Sequence, residues 1–240
     1  MNDWRGGWRI AKHELWRDRM GLMFTFIFTV YLTAVTFPLT KALFAGQPDE
    51  SWTCAIDFMM LSVLPSMGFM VSGFTMKYWK DDSFTRKLAL WRTMPISIPQ
   101  IVTGRLLLLF VVMIPILFIY FISQYVIALA IGQALPLYPF VLYALFWSGY
   151  SIALAIQYVY WEQSVSGKKY FLICSVYLVI IAVLVAVLWF SGIGLTRHLT
   201  ASVSRGEWWY PGSALAAAAL SVMFGSRLIA GSIRKRDLLG

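Results

Sequence analysis

Apolar residues fall in long blocks along this chain, and the longest block sets the frame. From Leu106 to Trp161 there are 56 residues without a single Asp, Glu, Lys or Arg. As one helix that stretch would run roughly 84 Å, against about 30 Å of bilayer hydrocarbon, so it must fold back on itself. Gly132, Pro136 and Pro139 mark the reversal, and the block reads as an uncharged helical hairpin. With the remaining apolar runs, the pattern predicts six spans near residues 21–45, 56–76, 104–131, 137–160, 170–191 and 211–230. The runs are continuous rather than alternating, which selects helices over barrel strands.

The polar intervals carry their own pattern. Residues 1–20 place Trp4, Trp8, Ala11 and Leu15 on one helical face, with Arg5, Arg9 and Lys12 beside it. That spacing predicts an amphipathic helix lying in the membrane interface, its tryptophans at headgroup depth. Between the second and third spans, Asp81, Asp82 and Ser83 supply side-chain oxygens suited to a helix start. Phe84, Leu88 and Trp91 then share one face, Arg92 suits the negative helix end, and Pro95 and Pro99 follow. Two readings of this short helix stay open, a rest on the lipid surface or a knob for a soluble partner. The interval at 192–210 ends in Trp208-Trp209-Tyr210, an aromatic belt for the opposite interface.

Composition agrees with the pattern. The chain is 60% hydrophobic and 13% charged, with a mean hydropathy of +0.71, against about 25% charged in ordinary soluble domains. A soluble domain of 240 residues has no core large enough for this much apolar surface. The net charge of +9 does not point to nucleic acid, because the cations flank the apolar runs. With the N-terminus inside, only Lys41, Arg197 and Arg205 of the 20 lysines and arginines fall outside. That bias predicts an even number of spans and both termini in the cytoplasm. The first apolar run is full length and lacks a small-residue cleavage site, so it reads as a span rather than a leader. Cys54 and Cys174 are expected near opposite ends, too far apart for a disulfide.

One segment carries a family likeness. The run Leu90-Trp91-Arg92-Thr93-Met94-Pro95-Ile96-Ser97-Ile98-Pro99-Gln100-Ile101-Val102-Thr103-Gly104-Arg105-Leu106 resembles the cytoplasmic loop of ABC-2-type permeases. In those subunits a short helix ends at a Leu-Pro-Ile-Ser-like turn, and a Gln-Ile-Val-x-Gly-Lys/Arg segment opens the third span. Met94 replaces the usual leucine, and Pro99 stands where a basic residue is common. The likeness extends to the plan of nearly the whole chain. It implies an all-α integral membrane domain over 21–240, a connecting helix over 1–20 holding Trp8 and Arg9, and a coupling helix between spans two and three. By the same resemblance, Phe84, Arg86, Leu88, Trp91, Arg92 and Pro95 would touch a separate ATPase subunit.

Absent motifs narrow the expectation. No Gly-x-x-x-x-Gly-Lys-Ser/Thr occurs, so ATP and Mg²⁺ would be bound by a partner chain rather than by this one. His13 and His198 are predicted on opposite sides of the membrane, and no acidic pair lies within a span, so neither a metal site nor catalytic residues are expected. Gln124 and Gln157 are polar groups inside spans; each either hydrogen-bonds a neighbouring helix or lines a translocation path. Pro115 is expected to kink the third span. The resemblance therefore implies a permease subunit of an ATP-driven exporter, with two ATPase copies and a second permease chain as partners. Its cargo would be amphipathic or hydrophobic, such as a peptide, antibiotic or lipid-linked molecule, and its place a bacterial cell membrane. A non-transporting membrane scaffold and a secondary carrier or channel are the alternatives.

Overall fold

The computed structural model describes residues 3–46, 50–70, 83–132 and 135–236, apart from the side chains of residues 50, 51, 83, 84 and 92. Helices are the only regular structure among them: α1 Asp3–Arg17, α2 Arg19–Phe44, α3 Glu50–Phe58, a π turn Met59–Val63, α4 Leu64–Ser66, α5 Ser83–Thr93, α6 Ile98–Ala130, α7 Leu137–Ser164, α8 Gly167–Phe190, α9 Leu195–Ser204 and α10 Trp209–Lys235. Five of these, α2, α6, α7, α8 and α10, are long and apolar enough to cross a membrane. The chain fits a helical membrane protein.

Local chemistry fixes several boundaries. At the start of α6 the Ser97 hydroxyl accepts the Gln100 backbone N–H at 3.4 Å, and the Gln100 side-chain Oε1 accepts the Ser97 backbone N–H at 3.3 Å. This reciprocal cap, with Pro99 in the first turn, starts the helix six residues earlier than the apolar run predicts. The hairpin turns where Gly132 takes a positive φ of 71°. Helix α6 continues through Pro115.

Helix α2 buries five threonines, Thr25, Thr29, Thr33, Thr36 and Thr40. Each hydroxyl donates to the carbonyl four residues earlier, at 2.8 to 3.1 Å. The helix thus satisfies its own polar groups, as an apolar surrounding requires. Small residues set the tightest crossings. A Cβ on Gly149 of α7 would stand 2.7 Å from the Ala214 backbone of α10, and one on Gly104 would stand 3.1 Å from the Gly7 carbonyl oxygen of α1.

The expected second span, 56–76, is not one continuous helix over the residues described; residues 71–76 lie outside them. Its axis is interrupted by the π turn before Pro65. Pro65 has no N–H to return to the Leu61 carbonyl, and the Tyr150 hydroxyl of α7 donates to that oxygen at 3.0 Å. The segment touches two distant parts of the chain. Asp57 meets the start of α9, while Phe69 packs on Tyr158 at 6.1 Å and beneath Arg105 at 5.3 Å. Within the interval at 192–210, α9 is a helix of its own.

Candidate functional site: the junction of α1, α5 and the hairpin

Charged side chains that leave the apolar blocks gather at one end of the bundle. Helix α1 packs its narrow face, Gly6, Gly7 and Ala11, against the start of α6, which leaves Trp8, Arg9, Trp4 and Trp16 exposed. Both ends of α1 are tied. The Ser97 hydroxyl donates to Asp3 at 3.2 Å, and at the other end Glu14 forms an ion pair with Lys87 of α5. Arg17 lies 3.5 Å from the same Glu14 carboxylate. Burial pulls the Lys87 ammonium below the ordinary lysine value, and the Glu14 carboxylate beside it opposes that shift. Lys87 also lies 4.6 Å over the ring of Trp91.

A second buried pair joins the two arms of the hairpin. Arg105 Nε donates to both oxygens of Glu162 at 3.0 and 3.2 Å, and Nη2 adds a third contact at 2.5 Å. This forked geometry is what allows an ion pair to sit in a dry surrounding. Gln163 donates to Glu162 at 3.3 Å, and its own carbonyl accepts Arg236 at 3.0 Å. Arg236 also donates to the Thr85 hydroxyl of α5. Five helices, α1, α5, α6, α7 and α10, are therefore linked at this end by charged or polar side chains. A displacement of α5 must strain these links.

The sequence-based site residues divide on this frame. Leu88 is 2% exposed and packs inside its own chain, so it is not available to a partner here. Trp91 is half-buried, whereas Arg86 and Pro95 are exposed; the side chains of Phe84 and Arg92 lie outside those described. The stripe that faces outward is Arg86, Leu90 and Met94, spaced i, i+4 and i+8. Leu90 and Met94, absent from the sequence-based set, are 56% and 44% exposed.

Gln124 and Gln157 do not share a surface. Gln124 is buried, and its amide donates to the Thr36 hydroxyl oxygen at 3.0 Å, which also lies 2.8 Å from the Tyr120 hydroxyl. Gln157 is exposed on α7. His13 is on α1 and His198 on α9, where it packs against Tyr210 at 6.1 Å. Among the described residues no group of three His, Cys, Asp or Glu is arranged for a metal.

The class these features define is an all-helical membrane protein with a charged junction at one end. No protein family matches the chain, and neither a curated protein nor a solved structure matches it.

Proposed function

We propose that this chain is the membrane-spanning permease subunit of an ATP-driven transporter of the ABC-2 type, an exporter of an amphipathic or hydrophobic compound. One observation carries the reading: a short helix between the second and third apolar runs, α5, is tied by Glu14–Lys87 to α1 and presents an exposed Arg86, Leu90 and Met94 stripe. A connector needs neither. The reading counts six crossings. Asp57 meets the start of α9 and Phe69 packs beneath Arg105 at the start of α6, which supports reading residues 50–70 as the main part of the second crossing despite their irregular helix. Both termini then share the cytoplasmic side with most of the lysines and arginines, in a bacterial cell membrane.

In this reading two soluble P-loop ATPase subunits bind below the membrane and supply ATP and Mg²⁺. Their closure pushes on α5, and the Lys87–Glu14 and Arg236–Thr85 links pass the displacement to α1 and α10. A second permease chain completes the translocation unit. Exposed Gln157 is placed to line a path between chains, whereas Gln124 serves as a hydrogen bond within one chain. The contact residues for the ATPase become Arg86, Leu90, Met94 and Pro95, with Leu88 holding α5 in place.

The test is co-purification of the tagged full chain from native membranes in several mild detergents. A soluble P-loop ATPase is expected to accompany it and to be lost in Leu90→Glu/Met94→Glu, with the chain itself still folded. Recovery of the chain without any ATPase in every detergent overturns the reading.

A further inference from the structure

At the bundle end opposite α1, a groove of about 540 Å³ separates α2 from the first turns of α3 and the π turn. Its volume falls in the range of small-molecule sites, about 300–1,000 Å³. Short side chains, Ala34, Pro38 and Ala42 on α2 and Thr53 and Ala55 opposite, line it together with larger ones such as Trp52 and Met59. From Ala34 to Leu43 the groove follows α2 for about 14 Å, close to half of a bilayer core of about 30 Å. It has the depth of one leaflet's acyl layer and opens onto the surface that hydrocarbon would cover.

Two cations lie close to residues that line the groove. Lys41 continues the stripe of Ala34 and Pro38 one turn further along α2. On the other side, Thr53 lines both this groove and a small neighbouring cavity that Arg197 also lines. Among the described residues neither Lys41 nor Arg197 has an acidic ion-pair partner. Asp57, the nearby carboxylate, is turned inward and accepts the Leu195 and Thr196 amides.

We propose that this groove binds an anionic phospholipid from the leaflet at that end. One acyl chain lies along α2 against Pro38 and Met59, and the phosphate sits between Lys41 and Arg197. Apolar shape alone would accept any lipid chain; the two free cations select the anionic headgroup. The site needs no ATPase and no transport, so it stands or falls separately from the permease reading.

The experiment is native mass spectrometry of the purified full chain equilibrated with equimolar phosphatidylglycerol and phosphatidylcholine. Wild type is expected to retain phosphatidylglycerol preferentially. Lys41→Glu should cut that preference about fivefold, and Lys41→Glu/Arg197→Glu should remove it, since each cation near a headgroup contributes on the order of a fivefold change. Lys168→Glu, an exposed cation at the other end, should leave it unchanged. Ala42→Trp should fill the groove and lower retention of both lipids, with helical content and monodispersity preserved. Equal retention of both lipids by wild type overturns the proposal, as does a preference that survives both charge reversals. A change of oligomeric state in Ala42→Trp with unaltered lipid binding also overturns it, because a second copy would then cover the groove.

Discussion

The two ends of the bundle hold themselves together by different means. At the α1 end, side-chain charges pair with one another across helices, as Arg105–Glu162 and Glu14–Lys87 do. At the opposite end the buried acid is Asp57, and it is satisfied by two backbone amides, Leu195 at 2.8 Å and Thr196 at 2.7 Å. It acts there as a cap supplied from another element, since the first turn of a helix presents amides without partners. Side-chain pairs link bodies that can be pushed as a unit. A carboxylate on a helix start fixes the docking of one short helix. The contrast separates an end whose helices are cross-linked by side chains from one where a single carboxylate seats a short helix.

Breaking the hairpin pair should give the largest effect. Glu162→Gln leaves the Arg105 guanidinium buried without its counter-charge, and about 3–5 kcal/mol of stability should be lost, read as a drop in thermal unfolding temperature in detergent. Replacing both residues by Met should recover most of that loss; failure of the double variant to recover would mean the pair does more than neutralise charge. Asp57→Asn comes next, at about 1.5–3 kcal/mol, because the side-chain amide keeps one acceptor oxygen and so one of the two hydrogen bonds to a charged acceptor is lost. Its signature is faster hydrogen exchange confined to residues 195–204, with α5 unaffected. Lys87→Met should cost about 1–2 kcal/mol, because Arg17 remains 3.5 Å from Glu14. Here exchange should rise in residues 83–93 and not in α9. If either variant loosens both ends together, the two ends are not independent and the comparison fails.

Much of the bundle was legible in the apolar blocks. The hairpin turn at Gly132, the Pro99 first turn and four of the long helices beyond α2 follow from run length and turn chemistry alone. The interruption of the second apolar run did not, although Pro65 was in plain view, because a freed carbonyl tolerates its position only if something else bonds it. That donor, Tyr150, lies 89 residues away in the chain. The loop helix shows a second limit. Periodicity identified Leu88 as apolar-face, but it cannot say whether a partner or the chain's own core covers that face. Here the core does, and the large apolar side chains left exposed on α5 and just past its end are Leu90 and Met94. Gln124 and Gln157 show a third. On helices apolar on all sides, no sequence pattern separates inside from outside, so one glutamine is buried and the other exposed without warning.

Asp57 also constrains how the chain is made. Helix α2 can enter a bilayer as soon as it is synthesised, because its threonines are satisfied by its own backbone. The Asp57 carboxylate precedes its amide donors by 138 and 139 residues. At synthesis rates of about 5–20 residues per second, that is a wait of about 7–28 s. Throughout that interval the acid has no partner and belongs in water or among headgroups, so residues 50–70 complete their packing only after α8 and α9 exist. The order in which the helices settle is therefore not their order on the ribosome.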